Sequence, residues 1–412
     1  MGRSVDYNEI FKHEITPYPM ALAPNGNKYN SQRIDVVLDH YKENSIKDSA
    51  RFKRGGQSSI NRIINSSDVP LPQQWHMFIH STYNKQQLTN FISEQLCERS
   101  RTVDFEFSTS GCFKDVLKYR GMRNDTFLIS THEEADTRIL LHILSAKRLG
   151  YTRCIIDCKD TDVLVLLAHF KDCLTPEIWM VVGTKESKRF IAVHELNMNP
   201  ELLKNLPAFD ALTGCDTTSQ FAGFGKKTCW KFYQTYHALL SGVGVGDFCE
   251  ELFSRMQLFV IKLYGGSSDV TCIDYLRGMN ASYKSIDKLP PTQDSLRHHC
   301  LRVHYQTKIW LNSLNPQPQL PNILESGWCS TEGKIQPVLQ TQPTVPKDLA
   351  ILSSCGCKKD CAAKRCSCKK QNMSCIPPCK CSIGLGKCKN AATSMSVPQE
   401  DQDIEDSSSD SE

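Results

Sequence analysis

The chain has no apolar core near its start: Met1-Gly-Arg-Ser-Val-Asp-Tyr7 is polar where a secretory signal would be hydrophobic. Nor does any stretch approach the roughly 18 uncharged apolar residues of a membrane-spanning helix. Gly2 is followed by Asp6 where an N-myristoylation signal needs Ser or Thr. Export, membrane insertion and lipid anchoring are therefore not expected, and the chain reads as intracellular. No internal repeat is present, which argues against solenoids and arrays. A nucleotide-binding loop is missing too. Gly225-Lys226-Lys227 lacks the Ser or Thr after the lysine and the glycine five residues earlier, so no small-molecule cofactor is expected.

What is there begins with length. At 412 residues, two folded units plus connecting chain are expected. An apolar content of 40% with 23% charged residues is that of a globular protein and excludes a wholly disordered, collagen-like or coiled-coil chain. Twenty cysteines are the unusual feature, and nine of them lie between Cys355 and Cys388. In a reducing compartment such a cluster points to metal rather than to disulfides. Charge is divided as unevenly. Residues 355–389 carry nine Lys or Arg and one Asp (+8), whereas residues 390–412 carry seven acids and no base (−7), so the net +4 leaves +3 for everything before. A basic module followed by an acidic tail is the pattern of a nucleic-acid binder with a competing arm; two solvated charge runs are the plainer reading.

Periodicity predicts an α/β domain. Val36-Val37-Leu38, Phe127-Leu128-Ile129, Cys154-Ile155-Ile156 and Ile178–Val182 read as short buried strands. Between them, Ala135, Ile139, Ile143, Ala146 and Leu149 recur at helical spacing, with Thr131 and Glu134 forming a capping box and Gly150 ending the run. Helical pattern continues over Trp230–Leu240, Phe248–Tyr264 and Thr292–Leu314. Strands alternating with helices imply a largely parallel sheet with its working residues at the carboxyl ends of strands. The expected organisation is a domain over 1–314, a Pro/Gln-rich linker over 315–354, the cysteine module over 355–390 and an acidic disordered tail over 391–412.

Acids fall where strands end or helices begin: Asp39, Glu134, Asp136, Asp160, Asp162 and Asp216. Converging carboxylates bind hard cations, and two Mg²⁺ or Mn²⁺ ions about 4 Å apart can activate water and stabilise the leaving oxygen in phosphodiester cleavage. Each acid also has a structural role open to it. Glu134 would complete the capping box, Asp160 would cap the helix beginning at Thr161, and any acid in a first turn gains from the helix dipole.

In order along the chain, Glu134-Ala135-Asp136, Asp160-Thr161-Asp162, Gly214-Cys215-Asp216 and Gly223-Phe224-Gly225-Lys226-Lys227 resemble the motifs of the flap-endonuclease superfamily of PIN-like nucleases. The resemblance implies that the five acids are metal ligands, and that Gly223, Gly225, Lys226 and Lys227 offer backbone N–H groups and charge to a DNA phosphate. Asp39 with Lys47, Arg51 and Arg54 resembles the family's second acidic strand and the basic helix that guides single-stranded substrate. The family also has an earlier strand ending in a first catalytic aspartate. Only Asp6 and Asp35 lie upstream of Asp39, and neither fits, so an N-terminal or internal piece is expected to be missing together with one metal ligand.

Cys355, Cys357, Cys361, Cys366, Cys368, Cys375, Cys379, Cys381 and Cys388 make three Cys-x-Cys pairs and three single cysteines. Three tetrahedral zinc ions need twelve bonds, which nine thiolates supply only if three of them bridge. The spacing resembles the tesmin/TSO1-like CXC domain, a three-zinc DNA-binding module. With so few apolar residues in this segment, zinc binding and folding should be one event. Relatives often carry a tyrosine before the middle pair where Arg365 stands here, next to Lys364; Arg365 is expected to enter a narrow minor groove or to contact phosphate. His298-His299-Cys300 lies in a helical pattern that puts adjacent residues on different faces, which disfavours a metal site there. The pairing of the two parts is similar to transposon-derived animal proteins, and implies a nuclear DNA-binding protein. Whether its first domain is a nuclease or only a scaffold in a non-enzymatic chromatin or transcription factor, or whether the protein is an interaction adaptor whose zinc module is merely structural, stays open at this point.

Overall fold

The computed structural model describes residues 31–40, 45–47, 60–66, 69–70, 72–99, 101, 105–110, 117–119, 126–183, 188–281 and 284–343, and in the cysteine-rich segment residues 355–358, 360–362, 365–370, 373–375, 379–381 and 388–390. The chain forms two compact units, Met1–Thr341 and Gln342–Glu412. Arg51, Arg54, Lys364, the acidic tail and the segment before Ser31 lie outside the described residues.

The first unit is mixed α/β with small sheets. β1 (Arg33–Val37) pairs in parallel with β2 (Glu106–Ser110), and β2 pairs antiparallel with β3 (Leu117–Tyr119). β4 (Arg153–Asp157) pairs in parallel with β5 (Glu177–Val182), and β5 pairs antiparallel with β6 (Arg189–Ala192). The expected largely parallel sheet is therefore two three-stranded sheets, each with one parallel and one antiparallel pair among the described residues. Short turns between neighbouring strands favour antiparallel pairing, as between β5 and β6.

Helix α1 (Trp75–His80) and helix α2 (Thr82–Arg99) precede β2. Helix α3 (Ala135–Arg148) links the two sheets. It runs antiparallel to β1, since Arg33 reaches Ser145, Asp35 reaches His142 and the Leu38 carbonyl accepts from Arg138. The tight reversal at Gly150, where φ is +91°, sends β4 back along α3 as well, so β1 and β4 run the same way. Both strands line one cleft of about 1290 Å³, with Ile139, His142, Ile143 and Ala146 of α3 between them. Accordingly Ile34, Val36, Cys154 and Ile155 are only half-buried, whereas β5 is buried from Ile178 to Val182.

At the centre, α4 (Thr161–Phe170) buries every residue from Val163 to Ala168. A helix apolar on all sides must be enclosed, and it packs against α3 and α5 (Pro200–Thr213). Next come α6 (Lys226–Tyr236), α7 (Glu250–Leu263), α8 (Ile273–Asn280) and α9 (Gln293–Leu311). Phe209, Tyr233, Phe259 and Trp310 are the large side chains that fill the core they share.

Three expectations are corrected. Thr126–Leu128 is a 3-10 turn, not a strand, and Leu128 packs on Leu141 while Arg148 stacks on Phe127. The capping box at Thr131 and Glu134 does not form: Glu134 is the N-cap without a side-chain hydrogen bond, and Asp39 Oδ1 accepts from Ala135 N instead at 2.8 Å. Residues 315–341, read as linker, fold onto the first unit. Hairpin β7 (Trp328–Thr331) and β8 (Lys334–Pro337) buries Trp328 with Tyr305 and Ile46, and Arg302 donates to the Gly327 and Val338 carbonyls.

Candidate functional site

Two constellations carry chemistry, one in each unit. In the first unit the six acids come from four places in the chain. Asp39 follows β1, Glu134 and Asp136 open α3, Asp160 and Asp162 open α4, and Asp216 lies in the loop after α5. Gly214 takes a φ of +112°, and a Cβ there would collide with Gln220, so the turn that presents Asp216 needs glycine.

The acids feel one another electrostatically. Burial and the neighbours Glu134, Asp160 and Asp162 push the Asp136 carboxyl well above the usual carboxylate range, against the pull of Lys47. Burial and Asp160 push Asp162 up to about 7 against the pull of Lys226, with Glu134 and Asp216 adding to the rise. Lys47 Nζ sits among them, 3.3 Å from Glu134 Oε1 and 3.9 Å from Asp136 Oδ2. Burial opposes its charge, but Glu134, Asp136, Asp39 and Asp216 outweigh that cost and hold the ammonium protonated far above its ordinary range. Asp160 has the structural work expected of it, accepting from Asp162 N at 3.0 Å as N-cap of α4, and Asp39 has one that was not foreseen, accepting from Ala135 N at the start of α3.

These carboxylates do not make a ready cage for Mg²⁺ or Mn²⁺. Among the described residues the only sets of three or more ligand atoms lying within 4.8 Å of one another are cysteines. A hard cation needs its oxygens at about 2.0–2.2 Å, and Lys47 Nζ already stands beside Glu134 and Asp136.

The lysines expected at DNA part company. Lys226 turns inward and ion-pairs with Asp210, a fully buried acid that the sequence reading passed over. Lys226 is thus a structural cation, and its expected phosphate contact is corrected; a carboxylate at 0% exposure has to be paired. Lys227, Gly223 and Gly225 are exposed at the start of α6, with Gly223 at φ +81°. Lys47 faces the acids rather than solvent. Asp35, whose place in the chain did not fit a catalytic acid, has a structural task. It receives two hydrogen bonds from Arg33, at 2.7 and 2.9 Å, and lies 2.9 Å from His142 Nδ1. His299 is buried with Nε2 at 2.9 Å from the Leu212 carbonyl, so the His298-His299-Cys300 run is core rather than a metal site.

In the second unit the sulfurs converge. Eight of the nine cysteines are buried and Cys357 is half-buried, and no aliphatic side chain joins their cluster among the described residues. Neighbouring sulfurs lie 3.7 Å apart for Cys355 and Cys361, 3.9 Å for Cys355 and Cys375, 3.8 Å for Cys366 and Cys375, 3.7 Å for Cys368 and Cys379, and 3.6 Å for Cys381 and Cys388. No disulfide joins them. Sulfurs bound to tetrahedral zinc at about 2.3 Å stand about 3.8 Å from each other, so the spacing fits a thiolate-bound metal. Three sets of four can be drawn: Cys355 with Cys357, Cys361 and Cys366; Cys355 with Cys361, Cys375 and Cys381; Cys355 with Cys368, Cys375 and Cys379. Cys355 recurs in all three, and Cys361 and Cys375 in two each. Cys361 adopts a φ of +54°, a strained conformation for a residue with a Cβ. Arg365 is exposed between Cys361 and Cys366. A cysteine cluster able to hold metal, compatible with zinc, is thus present.

The chain matches no known family model, no curated protein and no solved structure. Among the described residues, no helix is long and apolar enough to cross a membrane.

Proposed function

We propose that the protein is a nuclear DNA-binding metalloprotein. A three-zinc CXC module grips the phosphate backbone, and a PIN-like domain carries an acid cluster that would support Mg²⁺- or Mn²⁺-dependent phosphodiester hydrolysis of DNA ends, flaps or single strands once metal displaces Lys47 from it. The observation that carries the DNA-binding half is the sulfur cluster itself, embedded in a segment of +8 formal charge. Three zinc ions and nine thiolates sum to −3, which leaves the loaded module at about +5, still basic enough for salt-dependent phosphate binding. Tethering by the module raises the local concentration of DNA at the other unit.

The nuclease half is supported by the ordered acids at the carboxyl ends of β1 and β4 and at the starts of α3 and α4. β1 and β4 leave their edges on one cleft, where a further strand of a PIN-like sheet would lie. A second reading, a non-catalytic chromatin or transcription factor on a nuclease-like scaffold, is favoured by Lys47 filling the acid cluster.

Full-length zinc-loaded protein, incubated with a 5′-flap DNA and Mn²⁺, should cleave, and Asp162→Ala and Asp216→Ala should not. Equal product from wild type and variants excludes the enzyme reading. Loss of DNA affinity on deleting residues 355–389 is the expected binding result; unchanged affinity would remove the module from the account.

A further inference from the structure

We propose that Lys47 is the resident cation of the acid cluster, occupying the place between Glu134 and Asp136 that a divalent ion must take, and that it thereby sets the site's metal requirement. This inference rests on the acid-cluster reading above.

The geometry supplies the argument. Lys47 Nζ lies 3.3 Å from Glu134 Oε1 and 3.9 Å from Asp136 Oδ2, and only 13% of its side chain is exposed. The ammonium thus sits within ion-pairing distance of both carboxylates, whereas Mg²⁺ or Mn²⁺ there would need their oxygens at about 2.0–2.2 Å.

Nor is Lys47 a long side chain that happens to stray inward. The segment that delivers it is fastened to the mouth of α3 at several points. Asp39 Oδ1 accepts from Ala135 N at 2.8 Å, and His40 N donates to the Glu133 carbonyl at 2.7 Å. Ser45 Oγ donates to Glu133 Oε1 at 2.5 Å. Ile46, next in the chain, is buried against Tyr305 and Trp328. With the residue before it anchored in an apolar cluster and the loop tied to α3, Lys47 Nζ is presented to the acids by the fold.

Among the described residues, the charges that act most strongly on Lys47 are acids: Glu134, Asp136, Asp39 and Asp216. Lys226, the other buried lysine of the region, ion-pairs with Asp210 and also pulls on Asp162. A divalent ion entering between Glu134 and Asp136 would meet the ammonium at contact distance, so the two compete for the same oxygens. Binding of metal must expel Lys47 toward solvent, and the free energy of its ion pairs is lost from the metal affinity.

The test measures metal binding without reference to cleavage. Mn²⁺ is titrated into full-length, zinc-loaded wild type, Lys47→Met, Lys47→Gln and Lys47→Arg, with free Mn²⁺ read by electron paramagnetic resonance and folding checked by circular dichroism. One removed charge in a partly buried site is worth an order of magnitude, so Lys47→Met and Lys47→Gln should bind Mn²⁺ about tenfold tighter, and Lys47→Arg should stay near wild type. Asp136→Asn placed on Lys47→Met should abolish the gain, which locates the ion. If Lys47→Met does not fold, the Gln and Arg variants carry the same comparison. Measurable binding that is equal in wild type and in the neutral variants overturns the Lys47 inference alone. Absence of Mn²⁺ binding in all of them at millimolar metal overturns the inference and the acid-cluster reading together.

Discussion

Replacing Cys355 by serine tests the metal cluster at the one thiol that all three sets of four share. Its Sγ lies 3.7 Å from Cys361 Sγ and 3.9 Å from Cys375 Sγ, the two other sulfurs that belong to more than one set. Three tetrahedral ions require twelve bonds, and nine thiolates reach that number only with three bridging sulfurs. Cys355, Cys361 and Cys375 recur, but the three sets together use eight cysteines, omit Cys388 and place Cys355 in all three, so they mark which thiols are shared and not the full nine-thiolate arrangement. A hydroxyl is a poor zinc ligand beside a thiolate, so Cys355→Ser should remove more than one zinc per chain. Cys357→Ser, which touches a single set, should remove about one. Metal per chain by elemental analysis, with reactive thiols counted before and after chelation, reads both effects. Wild type should hold about three zinc ions and shield its nine module cysteines from a thiol reagent. Chelation should expose all nine together, because no aliphatic core among the described residues of this unit survives the loss of metal. Equal zinc loss from the two variants, or a wild-type content of one ion, would refute the shared-thiolate arrangement.

Other expectations rest on the first unit. Burial pushes the His299 imidazole down to about 4, so the folded state takes up its proton less readily than the unfolded chain. Its contribution to stability is complete above about pH 6.5 and falls as pH drops toward 4, by roughly 3 kcal/mol in all. Urea midpoints at pH 7 and 5 should therefore lie closer together in His299→Gln, and an unchanged gap would contradict this. Asp210→Ala strands the buried Lys226 ammonium and should cost about 3–5 kcal/mol in denaturant unfolding, with much of the loss recovered by adding Lys226→Met. Gly214→Ala should lower the melting temperature, because φ is +112° and Gln220 stands in the way of the new methyl; an unaltered melt would count against that turn. Trp328→Ala removes the anchor of the β7–β8 hairpin beside Ile46 and should cost about 3 kcal/mol or more, with faster amide exchange over residues 328–337 as the local readout.

Elements whose burial follows simple periodicity could be read from the chain. α3, α7 and α9 carry apolar residues at spacings of three and four, and β4 and β5 are short apolar runs. α5 escaped the same reading because Pro207 lies inside it, where proline ordinarily breaks a helix, although Pro200 at its first position is a usual helix start. α2 escaped because its polar sequence has no apolar stripe. Phe127-Leu128-Ile129 has the composition of a strand, yet Leu128 reaches Leu141 from a 3-10 turn, a choice made by the neighbour rather than by the segment.

The sequence by itself determined what depends on spacing along the chain: the cysteine framework, the basic and acidic blocks, the order of the acids, and the α/β alternation. Ligand spacing and charge are local properties, and a small metal-held module has little else to decide its fold. Tertiary structure alone decided which charges meet. It gave Asp39 to the end of α3, buried Lys226 against Asp210 sixteen residues away, and carried Lys47 some ninety residues back to Glu134 and Asp136. It also turned residues 315–341 from linker into part of the first unit, through Arg302 and the Trp328 cluster. The physical reason is the same in each case. A buried charge must find an opposite charge, and an indole an apolar wall, and those partners are distant in sequence.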